Sequence, residues 1–331
     1  MIWGPPGIGK SDIVAKIARD AGRPLIDMRL LLLDPTDLKG IPHYDAASGT
    51  MRWAAPSDLP KENHLDTAIL FLDEIVAAPP SVQAAAYQLM LNRQIGEYRL
   101  PAGVSIICAG NRDGDRAVTF KMPSPLANRL VHFELGVNFD DWHDWAVGAG
   151  LHADVIGFLT SHRQHLFNFD PKSTDHAFAT PRSWQFVAQL LSDEVSEQLT
   201  SALVAGCVGP GIALEFTEHR RMKDQLPSVE SVLDGTAPSV KDPNLSAIYS
   251  LTNSLCSTLR DRWVSPAASA EKNTSWHRYA NNFFEFMMNN FPAELTIYGS
   301  RLALVNYGLN IDSKKIDCYE KFSEKFAKYI I

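Results

Sequence analysis

The sequence predicts an α/β fold, a parallel sheet flanked by helices, followed by an extended all-helical region. Three observations carry this. A glycine-rich turn, Gly4-Pro5-Pro6-Gly7-Ile8-Gly9-Lys10-Ser11, lies between a short apolar stretch and an amphipathic segment. Ala68-Ile69-Leu70-Phe71-Leu72 is an unbroken apolar run that ends in Asp73-Glu74, and such runs suit a strand covered on both faces by helices. Beyond about residue 140 strand patterns give way to helical periodicity.

Taken in order, Met1-Ile2-Trp3 is the candidate first strand. A buried parallel strand usually runs about five residues, so this one is expected to be trimmed or minimal. Ile13, Val14, Ile17 and Ala18 form the apolar stripe of a helix over about 11–21. Residues 24–28 read as a short buried strand. Residues 41–44 and 51–53, on either side of the polar stretch 45–50, read as a hairpin standing out from the sheet or as an irregular surface loop. A proline-rich loop follows at 54–60, then the strand 68–72. A helix is predicted from Pro79-Pro80-Ser81 to Asn92, with Val82, Ala85, Ala86, Leu89 and Met90 inward. Residues 94–101 read as a second small hairpin, and 104–109 as a buried strand ending in Gly110-Asn111-Arg112. A helical turn at 124–130 precedes a strand at 131–135 that closes the sheet.

Helices are then expected at 140–149, 153–165, 180–191, 194–207, 213–225, 245–262, 276–290 and 295–307, with a loop at 227–243 and a charged final helix at 315–331. Thr180 caps the third of these, with Pro181 in its first turn. The predicted organisation is a core at 1–137, a helical lid at 138–214 and a further helical region at 215–331.

Composition sets the bounds. The chain has 331 residues, 45% hydrophobic and 21% charged, with a net charge of −7. This is an ordinary globular composition, and it advertises no broad basic surface for nucleic acid. Cysteines 108, 207, 256 and 318 are far apart and form no C-x-x-C pair, which argues against a metal knuckle or a disulfide framework. No apolar run approaches membrane-spanning length and no signal peptide is evident, so a cytoplasmic protein without membrane partners is expected.

The turn Gly4–Ser11 is a complete G-x-x-x-x-G-K-[ST] phosphate-binding pattern. Its glycines let backbone N–H groups curl around a phosphate chain, and the helix that follows turns its positive end toward the anion. Lys10 is expected to reach the β- and γ-phosphates of a nucleotide. The Ser11 hydroxyl is expected to hold Mg²⁺, supported by Asp73 through the ion's water shell. Glu74 would accept a proton from an attacking water, or orient it. Asn111 lies beside the two carboxylates if its strand neighbours theirs, where it would hold the water or the γ-phosphate.

With these pieces the chain resembles the AAA+ ATPases, and within them the MoxR-like group, over residues 1 to about 210. Gly4–Ser11 and Leu70-Phe71-Leu72-Asp73-Glu74 match the two nucleotide motifs, and Asn111 matches the sensor-1 residue. Arg129, in Leu-Ala-Asn-Arg-Leu, matches the arginine finger, and Arg182, in Thr-Pro-Arg-Ser-Trp, the sensor-2 arginine. The hairpins at about 41–53 and 94–102 resemble the helix-2 and pre-sensor-1 inserts of that clade. The resemblance implies ATP and Mg²⁺ as ligands, and a ring, usually a hexamer, in which Arg129 reaches the neighbouring subunit's nucleotide. Arg112 and Arg116 are rivals for that role. Arg182 would act on its own subunit's nucleotide. The family often has Asn-Arg after the acidic pair, whereas Ile75-Val76-Ala77 stands here.

Three functional readings follow. In the first, ATP hydrolysis drives remodelling of a protein client; for the MoxR-like group the resemblance implies a partner carrying a von Willebrand factor A domain. The second is a nucleic-acid motor, against which the acidic total charge argues. The third is a nucleotide-gated scaffold with little turnover, against which Glu74 argues. Other patterns read as background. His162 and His165 lie three apart with no third ligand and read as a solvated helix face. His219-Arg220-Arg221-Met222-Lys223 reads as a solvated helix end, and Trp142, Trp145, Trp184, Trp263 and Trp276 as packing between helices.

Overall fold

The computed structural model describes residues 1–331 apart from 62–66, 113, 116–119, 121, 193–195, 224, 241–243, 264–269, 310, 312–314 and 327–331. Two compact units divide the chain: residues 1–137 with 170–173, and residues 138–169 with 174–331.

The first unit is built on a sheet. In chain order it contains β1 (Ile2–Trp3), α1 (Lys10–Asp20), β2 (Leu25–Arg29), α2 (Pro35–Lys39), β3 (Ile41–Asp45), β4 (Thr50–Ala54), β5 (Ile69–Asp73), α3 (Pro80–Asn92), β6 (Gln94–Ile95), β7 (Tyr98–Arg99), β8 (Ser105–Gly110), α4 (Ser124–Ala127) and β9 (Phe133–Glu134). Five strands form one sheet in the order β2-β5-β8-β1-β9, all parallel. The first strand is minimal and pairs on both sides, Ile2 with Ala109 and with Phe133.

Strand β5 is buried at every position, because its two faces serve two cores. Leu70 and Leu72 pack with Met28, Cys108 and the α3 residues Val82, Ala86 and Leu89. Ile69 and Phe71 point the other way and pack with Ala109 and the α1 residues Val14 and Ala18. That is the period-2 alternation of a strand between two helix layers. Each fully buried Leu or Phe contributes about 1.5–3 kcal/mol.

Two small antiparallel hairpins lie outside the sheet. Strands β3 and β4 pair from Ile41 with Ala54 to Asp45 with Thr50, which excludes the irregular-loop alternative for this segment. Strands β6 and β7 form the second hairpin. Arg52 on β4 donates to Glu97 at the tip of the second, with its Nη2 at 3.0 Å. The Trp53 N–H also donates to Glu97 Oε1 at 3.3 Å.

The second unit is helical: α5 (Phe139–Gly148), α6 (Ala153–Ser161), α7 (Pro181–Leu190), α8 (Glu197–Val208), α9 (Pro210–Lys223), α10 (Val229–Asp234), α11 (Leu245–Asp261), α12 (Ala270–Asn290), α13 (Ala293–Arg301) and α14 (Asp317–Phe326). Helix α11 is its centre and buries a broad stripe including Ala247, Ile248, Leu251, Leu255 and Leu259. It meets α6 at Gly157, where an added Cβ would lie 2.4 Å from the Ser250 Cα. Beside this crossing the buried Asp154 accepts from the Ser250 hydroxyl at 2.9 Å and from Arg220 Nε at 3.3 Å. No helix among the described residues is long and apolar enough to cross a membrane.

Several expectations are corrected. The segment 227–243 is not loop throughout: Ser228 caps α10 by accepting from the Ser231 N–H, and Gly235 ends it in the left-handed region. The helix expected over 153–165 stops at Ser161, and a 3₁₀ turn, Arg163–Leu166, follows. That expected at 295–307 changes to a π-helical turn at Leu302–Asn306. His162 and His165 are not a solvated face, because both rings stack on the buried Phe158, at 4.7 and 5.9 Å between centroids. His219 is buried against Phe158 and bonded to the Ser246 hydroxyl, and Arg220 is held by Asp154, so their stretch is not simply a solvated end. Trp142, Trp184 and Trp276 are buried as expected, whereas Trp145 and Trp263 are exposed because they fall outside the buried stripes of their segments.

The α6–α11 crossing generates a prediction. Gly157→Ala drives a methyl group into the α11 backbone, so chemical denaturation of the variant should show a loss of about 1–3 kcal/mol. An unchanged midpoint would rule out close backbone approach at this point.

Candidate functional site

All five sheet strands point the same way, so their C-terminal ends share one edge, where α/β sheets bind ligands. The loop after β1 sits on this edge. Gly4 donates to the Gly110 carbonyl at 3.3 Å. There is no room for a side chain at Gly4, since a Cβ would lie 2.8 Å from the Leu135 carbonyl oxygen. Gly9 has φ +90, and the Ile13 N–H donates back to its carbonyl as α1 begins. This left-handed residue turns the chain directly into the helix, leaving the first-turn N–H groups of α1 to face the loop.

Three strand ends meet here through side chains. Lys10 is buried, and its ammonium donates to the Gly4 carbonyl at 2.8 Å, the Pro5 carbonyl at 3.0 Å and Asn111 Oδ1 at 2.8 Å. The Ser11 hydroxyl donates to Asp73 Oδ2 at 2.7 Å. Asp73 Oδ1 accepts from the Glu74 N–H at 2.9 Å. Strand β8 lies between β1 and β5 in the sheet, which puts Asn111 between the loop and the acidic pair. The structure therefore brings Lys10, Ser11, Asp73 and Asn111 into contact, with Glu74 next in the chain.

Glu74 has φ +56, a region non-glycine residues enter at a penalty of about 1–2 kcal/mol. The following turn fixes it there: its carbonyl accepts from the Ala77 and Ala78 N–H groups, and Ile75 donates to Ala109. Motif spacing gives no hint of this conformation, nor of the β2–β5 register that makes Arg29 the Cα partner of Asp73. Burial pushes the nearby Cys108 thiol up to about 12, so it stays protonated and is not a nucleophile at neutral pH.

Ser11 and Asp73 offer hard oxygen donors side by side, a donor set that fits Mg²⁺, which keeps most of its waters and takes few protein ligands. Among the described residues no three His, Cys, Asp or Glu side chains cluster as a metal site.

The arginines fall differently. Arg112 is engaged inside its own unit, with Nη2 at 3.2 Å from Glu134 Oε2 and 3.5 Å from the Leu135 carbonyl. Arg129 follows α4, is exposed, and has no side-chain partner among the described residues. Arg116 lies outside the described residues. Arg182 is the second residue of α7 in the helical unit, where it is exposed.

A phosphate-binding turn between a parallel strand and a helix, faced by a carboxylate at a neighbouring strand end, defines a P-loop α/β unit. Its residues 1–136 match the model of the ATPase family associated with various cellular activities (AAA), so this unit is similar to that family. The match ends near the limit of the sheet-bearing unit. No curated protein matches the chain. Among solved structures, a candidate ATPase from Cytophaga hutchinsonii is 14% identical, with 92% of this chain and 74% of that one aligned and a TM-score of 0.32. NtrX from Brucella abortus is 17% identical over 71% of this chain and 57% of its own, with a TM-score of 0.37. The RuvB Holliday junction branch migration motor of Thermotoga maritima is 16% identical over 77% and 72%, with a TM-score of 0.36. These low scores carry no argument; strand order and the family match carry the fold.

The backbone at Glu74 is testable. Glu74→Gly removes the left-handed penalty and should raise the stability of this unit by about 0.5–1 kcal/mol in denaturant titrations. A destabilised variant would mean that the φ is not strained.

Proposed function

We propose that the chain is an Mg²⁺-dependent ATPase of MoxR type that couples ATP hydrolysis to remodelling of a protein client. One observation supports it above the rest: Lys10 on Asn111 and Ser11 on Asp73 join three strand ends at one point, with Glu74 adjoining. In this reading Lys10 and the loop N–H groups bind the phosphates. Ser11 and Asp73 hold Mg²⁺, which when bound neutralises charge on the phosphate oxygens. Glu74 takes the proton of a water that attacks the γ-phosphorus, ADP departs as the leaving group, and Asn111 orients the water.

The site is proposed to lie at a subunit interface of a ring, taken as a hexamer, with Arg129 reaching the neighbour's γ-phosphate. Its exposure and lack of a described side-chain partner favour it over Arg112, which Glu134 and Leu135 hold. Residues 138–214 are proposed as the lid, with Arg182 acting on the nucleotide of its own subunit, and residues 215–331 as an additional helical region. The hairpins β3–β4 and β6–β7 support the MoxR-type reading, for which a von Willebrand factor A protein is the proposed partner.

Two outcomes are expected. Glu74→Gln should lower steady-state ATP turnover by about 10²–10⁴-fold while leaving ATP binding intact; equal turnover in variant and wild type would remove Glu74 from the chemistry. Arg129→Ala should lower turnover by about 10³-fold or more. Mixing it with a Lys10→Ala chain should restore part of the activity, because one interface in the mixed ring then holds an intact loop and an intact arginine. No recovery on mixing would argue against action between subunits.

A further inference from the structure

Arg129 lies in the short turn between α4 and β9. Its N–H donates to the Leu126 carbonyl at 2.9 Å, and the Leu130 N–H donates to the Ala127 carbonyl at 3.2 Å. The backbone that carries Arg129 is thus wound onto the end of α4. Leu126 anchors this helix in the core, at 1% exposure. The Arg129 side chain is exposed, so its aim follows the orientation of the turn.

One side chain ties this turn to the base of the phosphate-binding loop. His132, just before β9, has both ring nitrogens engaged. Nδ1 accepts from the Trp3 indole N–H at 2.8 Å, and Nε2 lies 2.8 Å from the Ala127 carbonyl oxygen. An indole N–H only donates, so Nδ1 is the acceptor and Nε2 carries the proton donated to Ala127. The two rings also stack, with 6.0 Å between centroids and 10° between planes. Stacking fixes the rotation of the imidazole, and the hydrogen bonds fix its reach. Trp3 ends β1 and immediately precedes Gly4. The Ala127 carbonyl is the same one that closes the Arg129 turn. The β1–β9 register itself covers Phe133 and Glu134, beyond that turn.

We propose that His132 is a positioning residue: held by Trp3, it fixes the α4 turn through Ala127 and so aims Arg129. The inference rests on the reading in which Arg129 acts on the neighbouring subunit's nucleotide. In that reading each chain serves two sites, its own through the loop and the next through Arg129. The path from Trp3 through His132 to Ala127 joins those two duties inside one chain. His132 touches neither nucleotide and acts only through the arginine it orients.

Steady-state turnover of the full chain, alone and in equal mixtures of variants, tests this. His132→Ala should lower ATP turnover by about tenfold, the value of one well-placed hydrogen bond, with ATP affinity unchanged. Mixed with Lys10→Ala, it should rise above the mean of the two chains measured apart. Its own loop is intact, and the Lys10→Ala chain lends a well-aimed arginine. Mixed with Arg129→Ala it should show no such rise, because neither chain then aims an arginine. The reverse pattern would mean that His132 serves its own loop through Trp3. That pattern, recovery with both partners, recovery with neither, or unchanged turnover of His132→Ala would each overturn the proposal. His132→Gln keeps an amide donor for the Ala127 carbonyl and should retain more turnover than His132→Ala. It carries the same mixing series if His132→Ala does not fold. Arg129→Ala mixed with Lys10→Ala separates two failures. Without recovery there, the reading of Arg129 itself falls and this proposal with it; with recovery there, only the role of His132 is at stake.

Discussion

The first unit depends on one constraint: its sheet strands are all parallel. Parallel strands bring every C-terminal end to the same edge, and what the chain places there meets whether or not it is close in sequence. Ser11 and Asp73 are 62 positions apart and Lys10 and Asn111 are 101 apart, yet each pair is in hydrogen-bond contact. The same constraint demands helices on both faces, which is why β5 has no polar residue before Asp73. Core packing and site geometry are therefore one arrangement: Leu70 and Leu72 face α3, Ile69 and Phe71 face α1, and the next residue is the carboxylate that receives Ser11.

The helical unit follows a different logic. It has no edge to gather residues, so its order comes from α11, whose buried stripe serves several neighbours. Some polar groups buried there are satisfied locally, Asp154 by Ser250 and Arg220, and the Trp184 indole by the His165 carbonyl at 2.7 Å. Other buried polar atoms of this unit, Trp142 Nε1, His143 Nε2, Asn253 Oδ1 and Ser300 Oγ, have no hydrogen-bond partner among the described residues.

Much of the first unit is legible in the sequence because its signals are local. The glycine turn, the apolar run 68–72 and the second small hairpin each carry their pattern within about ten residues, whereas 41–53 reads equally as a hairpin or an irregular loop. What resists reading comes from long-range packing. Nothing in Arg112 itself indicates that Glu134 and Leu135 hold it, and nothing in Glu74 indicates a left-handed backbone. His162 and His165 read as surface until Phe158 is placed against both their rings. Helix α10 is a different failure. Its Ser228 cap and Gly235 terminus are readable, but six residues between prolines look like loop.

The pairing of Arg52 with Glu97 has a mechanical consequence. Strands β3 and β4 sit between α2 and β5, whereas β6 and β7 sit between α3 and β8, the strand that carries Asn111 at its end. Glu97 grips both the Arg52 guanidinium and the Trp53 N–H, so the two hairpins are tied together at this point. Both partners of that ion pair are substantially exposed, so dissolved ions weaken it. The linkage thus behaves as a slipping clutch, tighter in dilute buffer and looser in brine.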